Sequence, residues 1–239
     1  MRLARVTQPD GTTLNVVADA LDWRTESREL MPFPEMSEPP VEPGLVLGLS
    51  RNLRDTDANL RIFARHPRSL VGAGHDVPVD PSLGRLIAEG EIAIILGADL
   101  YRANPEQARG AIRGWTLAND ITALDKVTAD GYSQEGKGTP TPLGPWIETK
   151  FEDASAEIEV LINGELRASG SMSRLRLSGA RLVAWVSQSV HLKPGDVILS
   201  GSPGTAAAIE PGDRVMIRVP GLGELGNVVT TLGAVAPAA

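Results

Sequence analysis

The segment Glu89-Gly-Glu-Ile-Ala-Ile-Ile-Leu96 constrains this chain more than any other. From Ile92 to Leu96 the residues are apolar without a break. A strand tolerates that pattern when a layer covers it on each side, so the sequence calls for a sheet with both faces packed. Two acids stand just ahead of the run. Side chains on a strand alternate with a period of two, so Glu89 and Glu91 point to the same face. Carboxylates placed side by side at the edge of a core repel each other unless something positive lies between them. A hard divalent cation would do so, and Asn119-Asp120 lies further along to supply a third oxygen ligand. Three carboxylates without neighbouring His or Cys suit Mg²⁺ or Mn²⁺, whereas zinc favours nitrogen and sulfur.

Composition sets the rest of the frame. A chain of 239 residues makes one large domain, or one domain with a small appendage. Aromatic residues are 4% of it, so the core has to be aliphatic, and the 25 Gly and 18 Pro favour short strands and turns over long helices. The net charge of −7 leaves no basic surplus for phosphates, which argues against a nucleic-acid partner. With no cysteine, disulfides, thiolate metal sites and cysteine nucleophiles are excluded together. No apolar leader and no membrane-length apolar stretch are present, so a cytoplasmic protein without a membrane partner is expected.

Along the chain, residues 2–6 and 13–17 read as two strands joined by a turn at Pro9-Asp10-Gly11. A proline-rich, acidic stretch then reads as a linker, so residues 1–43 are expected to form a small β segment and residues 44–233 the main domain. The small, apolar tail 234–239 is expected to fray. Asn104-Pro105-Glu106 is a helix start, predicting a helix to Arg113 followed by a strand from Trp115 to Ala118. Asn163-Gly164 predicts a type I′ hairpin between 157–162 and 165–169. Ser178 is expected to cap a helix through Val190, and Pro194-Gly-Asp and Pro211-Gly-Asp to introduce strands at 197–200 and 214–219.

Several patterns resist a functional reading. Gly221-Leu-Gly-Glu-Leu-Gly226 spells a dinucleotide fingerprint, but a strand pattern follows it where a helix is required. Gly131 to Lys137 lacks the hydroxyl residue and the leading strand of a phosphate loop. His66, His75 and His191 lack metal-ligand spacing, which leaves them surface or structural roles. Ser200-Gly-Ser-Pro-Gly204 is not a nucleophile elbow.

Taken in order, Glu89-Gly-Glu91, Gly114-Trp-Thr-Leu-Ala-Asn-Asp-Ile-Thr122, Pro142-Leu-Gly-Pro-Trp-Ile147, Ile162-Asn-Gly-Glu165 and Leu192 to Pro203 resemble the fumarylacetoacetate hydrolase family. The resemblance spans roughly residues 44–230 and implies a mixed α/β, predominantly β fold: a β-roll with flanking helices, assembled as a homodimer. It implies Mg²⁺ or Mn²⁺ on Glu89, Glu91 and Asp120, and a small-molecule 2-oxo or 1,3-diketo acid substrate whose enolate the metal stabilises. It also implies an active-site role for Lys137, although the Phe-Asp usual after that Lys-Gly is missing. Hydrolytic members carry Asn-Tyr-x-x-His-x-x-Glu where this chain has Asn52 to Asn59, so Thr56 replaces the His and Asn59 the Glu. Neither is a general base near neutral pH, and Asp55 or Asp57 is the substitute at hand. Arg65 stands where a substrate-binding Lys is common and suits a carboxylate; Arg51, Asn52 and Ser202 are further substrate contacts. The pattern is most similar to the isomerase/decarboxylase members of homoprotocatechuate breakdown. Isomerisation or decarboxylation is therefore expected, with C–C hydrolysis of an acylpyruvate-like acid as the alternative and a catalytically silent binding protein as the third reading.

Overall fold

The computed structural model describes residues 1–8, 10–19, 22–25, 30–31, 35–55, 59–127 and 139–233, so the tail 234–239 and the Gly131 to Lys137 pattern lie outside the described residues. The protein is mostly β, with a 13-stranded and a 5-stranded sheet and, among the described residues, two α-helices. None of its described helices is long and apolar enough to cross a membrane.

The strand Leu86–Leu96 is the axis of the large sheet. It pairs antiparallel with Ile112–Asn119 on one side and with Val197–Leu199 on the other. Its first half also pairs with Thr122–Ala123 and Ala206–Ile209. Ile92 through Leu96 are fully buried, as an unbroken apolar run demands. Ile94 and Leu96 join the cluster under the helices, while Ala93 and Ile95 pack on the opposite face. Each buried Ile contributes about 1.5–3 kcal/mol of hydrophobic stabilisation.

The small sheet, in the order Glu165–Ser171, Glu157–Ile162, Arg214–Val219, Gly223–Thr231 and Asp76–Val79, covers the first half of the long strand. Ala88 and Ile92 face it, and between them Gly90 has Val160 and Ile158 so near that a Cβ would lie 2.9–3.0 Å from their methyls. The space over Gly90 is thus taken by the second sheet. The opposite parity, Ile87, Glu89 and Glu91, lines a cavity.

The N-terminal strands Arg2–Thr7 and Thr13–Asp19 form the expected hairpin, and they extend the large sheet through pairing of Arg2 and Leu3 with Glu148 and Ile147. The helix Pro105–Ala111 has a full capping box between Asn104 and Gln107. It ends two residues before the predicted Arg113, because β-branched Ile112 already pairs with Leu96. Asn163 and Gly164 both have positive φ, at 54° and 84°, as a type I′ turn requires. The helix Gly179–Ser187 is three residues shorter than expected at its end, and the Ser178 side chain does not cap it. Asp153 instead stands against the helix start, its Oδ1 2.7 Å from where a Cβ on Gly179 would lie. The Gly221 to Gly226 pattern leads into the strand Gly223–Thr231, with no helix to hold a pyrophosphate.

Candidate active site

Glu89, Glu91 and Asp120 share the wall of one cavity of about 420 Å³. Their grouping follows from sheet register. The long strand brings Glu91 opposite Ala118 and Gly90 opposite Asn119, so Asp120 emerges beside the two glutamates as its strand ends. Asp120 N–H donates to the Glu89 carbonyl at 2.9 Å, and Asn119 Oδ1 accepts from Glu89 N–H at 3.2 Å. Glu91 and Asp120 are almost fully buried, at 2% and 1% exposure.

Each acid also accepts from a donor of the chain itself. Gly201 N–H donates to Glu91 Oε2 at 2.7 Å, and Thr122 Oγ1 donates to Glu89 Oε2 at 3.1 Å. Arg65 Nε donates to Asp120 Oδ1 at 2.7 Å, and its Nη2 contacts the same oxygen. Gly201 can serve because its φ is +82°, and a Cβ there would meet the Leu49 carbonyl at 2.7 Å. Sequence reasoning did not single out Gly201 or Thr122 as site residues. The signal available was Thr122 standing two residues past Asp120, on the same side of an extended segment.

Arg65 lies elsewhere than a substrate clamp would. Its side chain is fully enclosed, and besides Asp120 it donates to Thr139 Oγ1 at 2.9 Å and to the carbonyls of Thr139 and Ile121. The guanidinium is committed to this buried network and is not among the cavity-lining groups. Asp55 is likewise turned away, exposed and 3.6 Å from Arg174. Asn59 is exposed. Thr56, Asp57 and Lys137 lie outside the described residues.

Arg51, Asn52 and Ser202 do line the cavity. The Asn52 amide is consumed by structure: Nδ2 donates to the carbonyls of Leu177 and Ser200, both at 2.8 Å, and Oδ1 accepts from Leu177 N–H. Ser202 shares a 2.8 Å hydrogen bond with Thr205, whose hydroxyl in turn donates to the Gly90 carbonyl. Arg51 sits in the left-handed region at φ +62°, an uncommon backbone for a residue with a side chain. Among the described residues it alone of the cavity's charged groups makes no hydrogen bond or ion pair. Apart from Ser50, the remaining wall is apolar: Leu49, Leu53, Phe63, Ile87, Leu124 and Val127.

The histidines are structural. His66 Nδ1 caps the turn at Pro67–Ser69 by accepting from Arg68 N–H, His75 stands 3.8 Å from Glu38, and His191 packs against Tyr101.

Among the described residues, no three Asp, Glu, His or Cys side chains are gathered into a ready metal cage. Donor chemistry nevertheless fits a hard dication. Three carboxylates share one wall, and Arg65 is the one buried cation among the described residues. Among the described residues, three acids stand against the guanidiniums of Arg65 and Arg51, a net negative set that suits an oxygen-seeking dication.

Comparison with known proteins agrees with this architecture. Residues 47–230 match the family described as fumarylacetoacetate (FAA) hydrolase, C-terminal. The crystal structure of 5-carboxymethyl-2-hydroxymuconate delta-isomerase from Mycobacterium smegmatis superposes with a TM-score of 0.88 at 30% identity, over 98% of this chain and 100% of that one. Oxaloacetate tautomerase YisK of Bacillus subtilis is 32% identical over 70% of this chain and 60% of its own length. The 4-hydroxyphenylacetate degradation bifunctional isomerase/decarboxylase of Salmonella dublin is 28% identical over 70% of this chain and 41% of its own. The chain belongs to the fumarylacetoacetate hydrolase family.

Proposed function

We propose that the protein is a Mg²⁺- or Mn²⁺-dependent enzyme that isomerises or decarboxylates a 2-oxo or 1,3-diketo carboxylic acid. The observation that carries this reading is the convergence of Glu89, Glu91 and Asp120 on one cavity, buttressed from behind by Arg65. A bound dication would supply Lewis-acid polarisation of the 2-oxo group. The chain's own groups bind and orient. Arg51 offers a planar fork to a substrate carboxylate, and Ser202 a hydroxyl at the same wall. Leu49, Phe63 and Ile87 give the cavity an apolar wall beside the acids. Lys137 is the group proposed to move the proton.

C–C hydrolysis is the weaker reading, because Thr56 and Asn59 replace the His and Glu of hydrolytic members and Asp55, one of the two substitutes for the missing base, faces Arg174. The similarity to an isomerase, a tautomerase and an isomerase/decarboxylase supports the same preference. The test follows oxaloacetate, unsaturated 2-oxo diacids and acylpyruvates by absorbance, with Mg²⁺ and with chelator. Metal-dependent isomerisation or CO₂ loss is expected. Cleavage products from an acylpyruvate would overturn the preference, and metal binding without any turnover would favour a silent binding protein. The homodimer belongs to the same proposal; sedimentation should report about twice the 25.3 kDa chain mass, and a monomer mass would contradict it.

A further inference from the structure

A second cavity, of about 490 Å³, shares no lining residue with the cavity of the acids. It lies between the N-terminal hairpin and the main domain, and its charged lining groups are Arg5, Arg113 and Glu42. Arg5 stands opposite Asn15 in the hairpin, and a bridge to Glu38 ties its backbone to the segment that follows. Its side chain is only 19% exposed. Nη1 donates to the Pro39 carbonyl at 3.2 Å, while Nη2 meets Glu42, whose side chain is 80% exposed. A carboxylate so open to water is a weakly held partner. Arg113 comes from the strand Ile112–Asn119. Ile112 pairs with Leu96 and Gly114 with Ile95, which leaves Arg113 as the extra residue of a β-bulge. Bulges re-aim side chains, and this one puts a guanidinium at the cavity that makes no hydrogen bond or ion pair among the described residues.

We infer that this cavity is a second binding site, for a small dicarboxylic acid that bridges Arg113 and Arg5 and displaces Glu42 from Arg5. Two guanidiniums from separate elements match two carboxylates, each through a planar fork of donors. Leu3, Val16, Val17 and Val41 add an apolar wall that suits a short carbon chain and that a bare phosphate would leave uncovered. The inference stands apart from the proposed cation site, since it uses none of that site's residues.

The experiment titrates succinate, acetate and inorganic phosphate separately into the full-length protein by calorimetry, with chelator present to keep divalent cations out of the other cavity. Arg113→Gln and Glu42→Gln are titrated alongside, with circular dichroism to confirm folding. Succinate should bind at least about tenfold more tightly than acetate, because only the diacid engages both guanidiniums. Arg113→Gln should weaken succinate about tenfold, and Glu42→Gln should tighten it severalfold by removing the competing carboxylate. Amide NMR locates the site: succinate should shift the resonances of Val16, Val41 and Gly195. Shifts confined to Glu89, Glu91 and Gly201 would put the acid in the other cavity and overturn the inference. Phosphate binding more tightly than succinate, an Arg113→Gln variant with wild-type affinity, or no succinate binding at all would overturn it too.

Discussion

At the scale of single residues, the geometry of the acids was open to view in the sequence and the role of their partners was not. A period of two places Glu89 and Glu91 on one face whatever the rest of the fold does. Arg65 is different, because the direction a long side chain takes depends on what surrounds it. Here Asp120, Thr139 and Ile121 enclose the guanidinium, so a residue expected at the substrate becomes a support for an acid. Gly201 carries an equally specific demand. Its φ is +82°, and a Cβ would lie 2.7 Å from the Leu49 carbonyl, which leaves no place for a side chain. Gly201→Ala should cost about 1–3 kcal/mol in urea denaturation and weaken divalent-cation binding by displacing the N–H that holds Glu91. A variant as stable as the wild type would show that this turn is not under the constraint described.

At the scale of elements, local chemistry was legible and distant chemistry was not. The Asn163-Gly164 turn and the Asn104 capping box are settled within a few residues, and both stand where the sequence placed them. The helix Gly179–Ser187 starts against Asp153, remote in sequence, which no local pattern around Ser178 could reveal. Burial pushes the Asp153 carboxyl above its ordinary range against the opposing Gly179 N–H, and its Oδ2 is buried without a hydrogen-bond partner. A pKa raised in the folded state means that the folded protein binds the proton first as pH falls. Asp153 therefore adds stability that is complete below the unfolded carboxyl pKa, near 3.9, and is lost as pH rises through the folded value. Asp153→Asn should remove that slope while keeping a side-chain oxygen for Gly179 N–H. Denaturation of wild type and variant across the acid range measures it; a difference in stability that does not change with pH would contradict the assignment.

At the scale of the whole molecule, the arrangement is a division of labour along one strand. Leu86–Leu96 gives its even residues near the start, Ala88 and Ile92, to the core against the second sheet, and its odd residues, Ile87, Glu89 and Glu91, to the cavity. Beyond Glu91 both faces are core, and the rigidity of that buried half fixes the acids at its edge. The family and the predominantly β architecture were readable from collinear motifs, since the apolar run, the Asn-Asp turn and the Gly-Asp strand starts each encode a piece of this sheet. The layer that covers Gly90 was not readable, because it is set by how the two sheets meet. The central claim, that the three acids form a cation site, is tested most directly by calorimetric titration of Mg²⁺ into the wild type and Asp120→Ala. Saturable binding to the wild type, weakened about a hundredfold or lost in the variant, is the predicted result; no binding to the wild type, or equal binding to both, would contradict it.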